Sequence, residues 1–203
     1  MDRVRKKSRL STTDIVYCGL FAALIAIGAF IKIMIPVGAF EVTFSLQFFF
    51  ALLAGILLGA RLGFLSVLAY LVIGLVGVPV FAHGGGPGYL LRPTFGFLIG
   101  FAAAAYLAGL ISEKLSKRGF LTLLLATFVA EMGYYACGLI YYFILFNFVL
   151  TNGSSIGVVE LLSVWFLSTV IPDFILCVLA SRLGMRLYPV FHRGARVRGE
   201  SEE

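Results

Sequence analysis

Six long apolar runs dominate the chain, at 13–35, 46–60, 62–80, 94–111, 120–150 and 161–185. A helix needs about 20 predominantly apolar residues to cross a bilayer, and inside hydrocarbon it must satisfy its own backbone polar groups. The runs are continuous rather than alternating, which favours helices over a transmembrane barrel. The second is short for a span. Charge agrees: 13% of the 203 residues are Asp, Glu, Lys or Arg and 61% are hydrophobic, whereas a soluble domain carries about a quarter charged. The expected fold is an all-α integral membrane protein, a six-transmembrane-helix bundle forming a single domain over residues 1–203.

Arg3, Arg5, Lys6, Lys7 and Arg9 precede the first run. That run is longer than the apolar stretch of a signal peptide and ends in no small-x-small cleavage site, so it reads as a retained helix. Of the 16 lysines and arginines, all but Lys32 and Arg92 fall on one side of the expected bundle. The excess of cations marks the cytoplasmic side, which places both termini there and the connections 36–45, 81–93 and 151–160 on the other. The net charge of +6 then faces anionic headgroups of the lipid bilayer, and no nucleic-acid partner is expected. Cys18, Cys137 and Cys177 lie within spans at no metal-ligand spacing, as buried apolar thiols do.

Small residues recur at four-residue spacing: Ala51, Gly55, Gly59 and Gly63 in one row, Gly96, Gly100, Ala104 and Ala108 in another. Such rows let helix backbones approach closely in lipid, and both are expected to pack the bundle. The first helix carries Gly19 with Ala23 and Ala22 with Ala26, a face open either to internal packing or to another membrane protein. No phosphate loop, H-E-x-x-H or G-x-S-x-G motif occurs. The chain is therefore not expected to be an enzyme or to hold a cofactor, and any active transport draws its energy from a partner or an ion gradient.

Ionisable groups at membrane depth are costly and mark function by default. The stretch VPVFAHGGGPGYLLRPTFGF, residues 78–97, joins the third and fourth helices. Its Gly84, Gly85 and Gly86 are expected to fold over the bundle as a lid, since irregular backbone at that depth must be buried in protein or line a cavity. Phe81 and Tyr89 anchor the two ends of the lid. Arg92, ahead of Pro93, is either an interfacial anchor or a guanidinium grip on a ligand carboxylate. Asp173 follows Pro172, which is expected to open the sixth helix locally; the carboxylate either accepts ligand N–H groups or pairs with Arg92 or a tyrosine hydroxyl. Glu131 stays open between a protonated packing residue, a partner of Lys32 and a site member. Gln47 offers a donor and an acceptor at the start of the second helix. Of the fifth-helix tyrosines only some can face inward, Tyr135 among the candidates. His83 has no second ligand nearby, so no metal is expected. Together these groups suit a pocket for a small molecule with an acidic end and a hydrogen-bonding head.

Three segments carry a resemblance: VTFSLQFFFALLAGILLGARLG at 42–63, GLVGVPVFAHGGGPGYLLRPTFGFLIGF at 74–101 and YACG at 135–138. The second is the most specific, being close to GLPVF, a glycine tract and then PT-x-G-[YF]-x-x-GF. In them the chain resembles the BioY family, biotin-binding S components of energy-coupling factor (ECF) vitamin transporters. The resemblance implies a passive subunit of the prokaryotic cell membrane that captures biotin from outside. It also implies an ECF transmembrane coupling subunit and ATPase subunits as partners, with Ala22 and Ala26 contacting the coupling subunit. Gln47, Arg92 and Asp173 become ligand residues and 84–88 the lid. Many members carry a lysine one turn after the sixth-helix aspartate; here that residue is Leu176. The departure motivates a runner-up, an S component for a different small vitamin. An intramembrane enzyme using Glu131, Asp173 or His83, or a structural partner without a ligand, are the readings from other classes.

Overall fold

The computed structural model describes residues 10–37, 40–115, 119–150 and 156–199. It is mostly helical, with four helices long and apolar enough to cross a membrane, Thr12–Phe30, Phe95–Lys114, Phe120–Val149 and Val170–Phe191. Two shorter apolar helices, Gln47–Leu58 and Ala60–Leu75, lie among them. Helix α1 (Thr12–Phe30) starts on a capping box in which the Ser11 hydroxyl accepts from the Asp14 N–H and the Asp14 carboxylate accepts from the Ser11 N–H, satisfying two otherwise unpaired helix-end donors.

The first apolar run was expected to stay helical through 35. Instead α1 ends at Phe30, and an antiparallel hairpin follows, β1 (Lys32–Val37) and β2 (Phe40–Ser45), in register from Lys32 opposite Ser45. Alternating β-branched and aromatic residues such as Ile33, Val42 and Phe44 favour a pleated strand, and Pro36 cannot sit inside a helix without breaking it. An expectation of helix alone missed this element.

Helices α2 (Gln47–Leu58) and α3 (Ala60–Leu75) meet at Gly59, whose φ of +86° suits glycine and reverses the chain. Helices α4 (Phe95–Lys114) and α5 (Phe120–Ile144) complete the central group; α5 continues through a π turn, Leu145–Val149. A single short turn α6 (Val158–Leu161) and a second π turn (Leu162–Phe166) lead into α7 (Val170–Gly199).

The small-residue rows do pack the bundle. A Cβ on Gly55 would lie 2.3 Å from the Ala105 carbonyl oxygen of α4, one on Gly63 2.8 Å from Gly55 Cα, and one on Gly100 2.7 Å from the Tyr134 carbonyl oxygen of α5. Outward, Leu121, Leu125 and Val129 on α5, and Ile171, Ile175 and Leu179 on α7, form exposed apolar rows at four-residue spacing. Hydrocarbon is the solvent such rows fit.

Candidate functional site: a chamber beneath the glycine loop

At one end the helices part around a cavity of about 400 Å³, within the range of small-molecule sites. Its walls come from β2, the first turns of α2 and α4, the loop between α3 and α4, Tyr134 of α5, and Trp165, Thr169 and Asp173 beside the start of α7. Phe48, Phe97, Phe101 and Tyr134 make the apolar part, with Phe101 and Tyr134 stacked at 5.4 Å and Phe48 and Tyr134 at 4.7 Å.

The loop over the chamber is folded, not slack. Phe81 and Gly84 exchange backbone hydrogen bonds of 2.9 and 3.1 Å, and the Gly86 N–H donates to the Gly74 carbonyl at 2.7 Å. Gly84 sits at φ +111°, and a Cβ on Gly85 would lie 2.3 Å from the Val78 carbonyl oxygen, so this path requires glycine at both positions. Phe81, 1% exposed, wedges between Tyr70, Tyr89 and Phe95. Lys32 Nζ reaches from the hairpin to donate to the Ala82 carbonyl, and the Tyr141 hydroxyl donates to the Leu90 carbonyl at 2.6 Å. Two neighbouring elements therefore hold the loop by polar contacts. This also answers one question about Glu131: Lys32 engages the loop, whereas Glu131 accepts from the Cys177 thiol at 3.5 Å.

Of the expected ligand residues, Gln47, Tyr89, Arg92 and Asp173 line the chamber. Gln47, 2% exposed, accepts from the Ser45 hydroxyl at 3.1 Å and donates to the Tyr70 hydroxyl. Arg92 is exposed at the end of a 3₁₀ turn (Pro87–Leu91), its guanidinium carbon 5.2 Å from the centre of the Tyr89 ring, a cation–π contact that orients it. Burial pushes the Tyr89 hydroxyl above its ordinary range, against the pull of Arg92 and a hydrogen bond to the His83 backbone; Tyr89 is a neutral donor. Phe81, Gly84 and Gly85 shape the loop that presents Ala82 and His83 to the cavity, rather than lining it themselves. Tyr135 stands behind Asp173, with its hydroxyl 2.6 Å from Asp173 Oδ2 and 2.8 Å from Thr169 Oγ1. Among the described residues no His, Cys, Asp and Glu group is placed to hold a metal ion.

The sixth run is opened locally one turn before Pro172. Pro172 is the third residue of α7, where a missing N–H costs nothing, and the break lies upstream, where the π turn ends and residues 167–169 turn into the helix. Asp173 is 3% exposed and Thr169 is 7% exposed. Leu176 is buried in the core and is not a chamber residue. Ala22 is buried against the bundle and Ala26 half-buried, while Gly19 and Ala23 are exposed on the outer face of α1.

Thr169, Trp165, Tyr134 and the β2 residues were absent from the expected site. Thr169 had a signal, since it precedes Asp173 by four residues and shares its face. The others are brought in by contacts between segments distant in sequence.

A helical membrane protein that encloses a ligand-sized polar and aromatic chamber is the class that fold and cavity define. Comparison with known proteins narrows it. The family model described as the BioY family matches residues 4–193, and the chain belongs to that family. A probable biotin transporter BioY of Lysinibacillus sphaericus is 44% identical over 92% of this chain and 91% of its own length. A biotin transporter BioY of Thermotoga maritima is 39% identical over 86% of this chain and 95% of its own. A crystal structure of the S component for biotin from an ECF-type ABC transporter superposes with a TM-score of 0.74 at 26% identity, covering 86% of this chain and 90% of that one.

Proposed function

We propose that this chain is the biotin-capturing S component of an ECF-type transporter in the cell membrane, delivering its ligand for uptake driven by partner ATPase subunits through a transmembrane coupling subunit. The observation that carries the ligand assignment is that a buried carboxyl, Asp173, and an arginine, Arg92, share one apolar-walled chamber. Biotin has a ureido head with two N–H donors and a carboxylate tail. Asp173 supplies an acceptor for the first and Arg92 a bidentate donor for the second. Gln47 and the ring of Tyr89 complete the contacts, Tyr135 steadies Asp173, and Phe81, Gly84 and Gly85 keep the loop closed above.

The chain acts as one domain, with six helices crossing the membrane. Both termini face the cytoplasm, and the glycine loop between α3 and α4 covers the outer mouth of the chamber. The distribution of lysine and arginine supports that orientation. The open α1 face of Gly19 and Ala23, with half-buried Ala26 at its edge and Ala22 packed behind it, is where the coupling subunit docks; Gly19 has no heavy atom within 4 Å of its would-be Cβ, so a second helix fits closely there.

Equilibrium binding of biotin to the purified protein tests the reading. Tight binding that weakens in both Arg92→Ala and Asp173→Asn supports it. Absence of biotin binding alongside tight binding of another vitamin would replace it with an S component of different specificity.

A further inference from the structure

We infer that the empty chamber stores a proton on Asp173 and that capture of the ligand's N–H head expels it, so ligand binding is linked to proton release. The inference rests on the ligand reading above and deepens it.

The hydrogens can be counted. Three close oxygen–oxygen contacts run in series: Asp173 Oδ2 to the Tyr135 hydroxyl at 2.6 Å, Tyr135 to the Thr169 hydroxyl at 2.8 Å, and Thr169 to the Trp165 carbonyl at 2.7 Å. A carbonyl accepts only, and tyrosine and threonine bring one hydrogen each. Two hydrogens cannot fill three linear contacts. A proton on Asp173 supplies the third: Asp173 donates to Tyr135, Tyr135 to Thr169, and Thr169 to the Trp165 carbonyl. The relay then ends on a backbone oxygen and every contact is made.

Burial favours that filling. Glu131 lies one helical turn along α5 from Tyr135, is fully buried, and leaves Oε1 without a partner among the described residues. Its other oxygen accepts from the Cys177 thiol of α7, one turn beyond Asp173. Tyr134 of α5 lines the chamber with Asp173. Helix α2 (Gln47–Leu58) carries no ionisable side chain, and those of α4 are the exposed Tyr106 and, at its far end, Glu113 and Lys114. Among the described residues the cationic groups across the chamber are Arg92, His83 when protonated and, behind Ala82, Lys32; they pull toward the charged form, and burial of Asp173 opposes them. An acid this buried, with no ion-pair partner among the described residues, keeps a proton rather than a charge.

Two N–H donors from a ureido head reverse the balance, because hydrogen bonds to a carboxylate favour its charged form. Asp173 gives up its proton to water through the chamber mouth, and the Tyr135 hydroxyl turns to donate to Oδ2. Protein with its proton plus ligand becomes complex plus one proton. The sign follows: affinity rises with pH, by at most about tenfold per unit, until the empty site is itself deprotonated, and is level above that. Protonation of His83 by an acidic ligand would carry the opposite sign, proton uptake.

Titration calorimetry of biotin into the purified protein, in buffers of different ionisation heat from about pH 5.5 to about 8, counts the protons exchanged. The expected result is release of up to one proton at the acid end. Release should persist in Glu131→Gln. It should vanish in Asp173→Asn, whose weakened binding stays measurable at raised protein concentration. No exchange across the range, net uptake, loss of release in Glu131→Gln, or unchanged release in Asp173→Asn would overturn the inference. Infrared spectroscopy of the ligand-free protein gives a readout independent of biotin: a protonated-carboxyl band that is lost in Asp173→Asn. If biotin did not bind at all, the functional reading would fall, and the presence or absence of that band would still decide whether the proton is there.

Discussion

Helices α2 and α4 run from one kind of interior to another. Where Gly55 of α2 meets Ala105, and Gly109 of α4 meets Ala60 just past the end of α2, a Cβ on either glycine would fall 2.3 Å from a backbone atom of the neighbour, and no space remains. Toward their other ends the same helices present Phe48, Phe97 and Phe101, whose rings stand the backbones apart around a 400 Å³ chamber. In hydrocarbon, close packing of small residues is what holds helices together. The tight end therefore supplies stability and leaves the aromatic end free to be hollow. Structure and ligand capture are separated along the same pair of helices.

Changes at the two ends are expected to fail in different ways. The largest effect belongs to the sealed end: Gly55→Leu forces a branched side chain into the Ala105 carbonyl, and a loss of about 3 kcal/mol or more is expected, read as a collapse of the thermal transition of detergent-purified protein. At the hollow end, Asp173→Asn and Arg92→Ala each remove a charge-assisted hydrogen bond of about 1.5–3 kcal/mol. Biotin affinity should fall about 10- to 100-fold while the melting temperature of the empty protein stays near that of wild type. A large drop in melting temperature in either variant would show that the chamber also holds the fold together, and the contrast would break.

The loop lies between these extremes. Gly85→Ala pushes a methyl onto the Val78 carbonyl, with an expected cost of about 1–2 kcal/mol and a faster biotin off-rate, measurable by chase with unlabelled ligand. The smallest effect is expected at Lys32. Lys32→Met keeps the apolar stem and deletes one hydrogen bond to Ala82, worth about 1 kcal/mol, so a several-fold faster off-rate with no change in melting temperature would sharpen the assignment of the hairpin as a latch on the loop. An off-rate equal to wild type would remove the hairpin from that role.

Much of this was legible in the residues. Apolar length placed a helix in each run, although the first ends at Phe30 and the last runs from Val170 to Gly199 rather than over 161–185, and the four-residue rows of glycine and alanine announced the close contacts that Gly55, Gly63 and Gly100 make. Asp173, Gln47 and Arg92 stood out because polar groups are expensive at membrane depth, Tyr89 as an anchor of the glycine loop, and all four line the chamber. The hairpin was missed because Lys32–Val37 is apolar enough to pass as the continuation of a spanning helix, and only pairing with Phe40–Ser45 makes it a strand. Pro172 marked the local opening of the sixth run at 167–169, but the π turn before it, Leu162–Phe166, has no sequence signature.

The sequence by itself determined that this is a helical membrane protein with few polar groups in its spans, because hydrocarbon admits little else. It also singled out a glycine-bound loop, since no other residue tolerates the backbone at Gly84. Only the tertiary structure decided which of those polar groups share a hydrogen-bonded chain. Tyr135, Thr169 and Asp173 lie on different segments, and their oxygens come within 3 Å only when α5 and α7 pack. Whether a buried carboxyl carries a charge or a proton depends on such neighbours, and therefore on packing rather than on the order of residues.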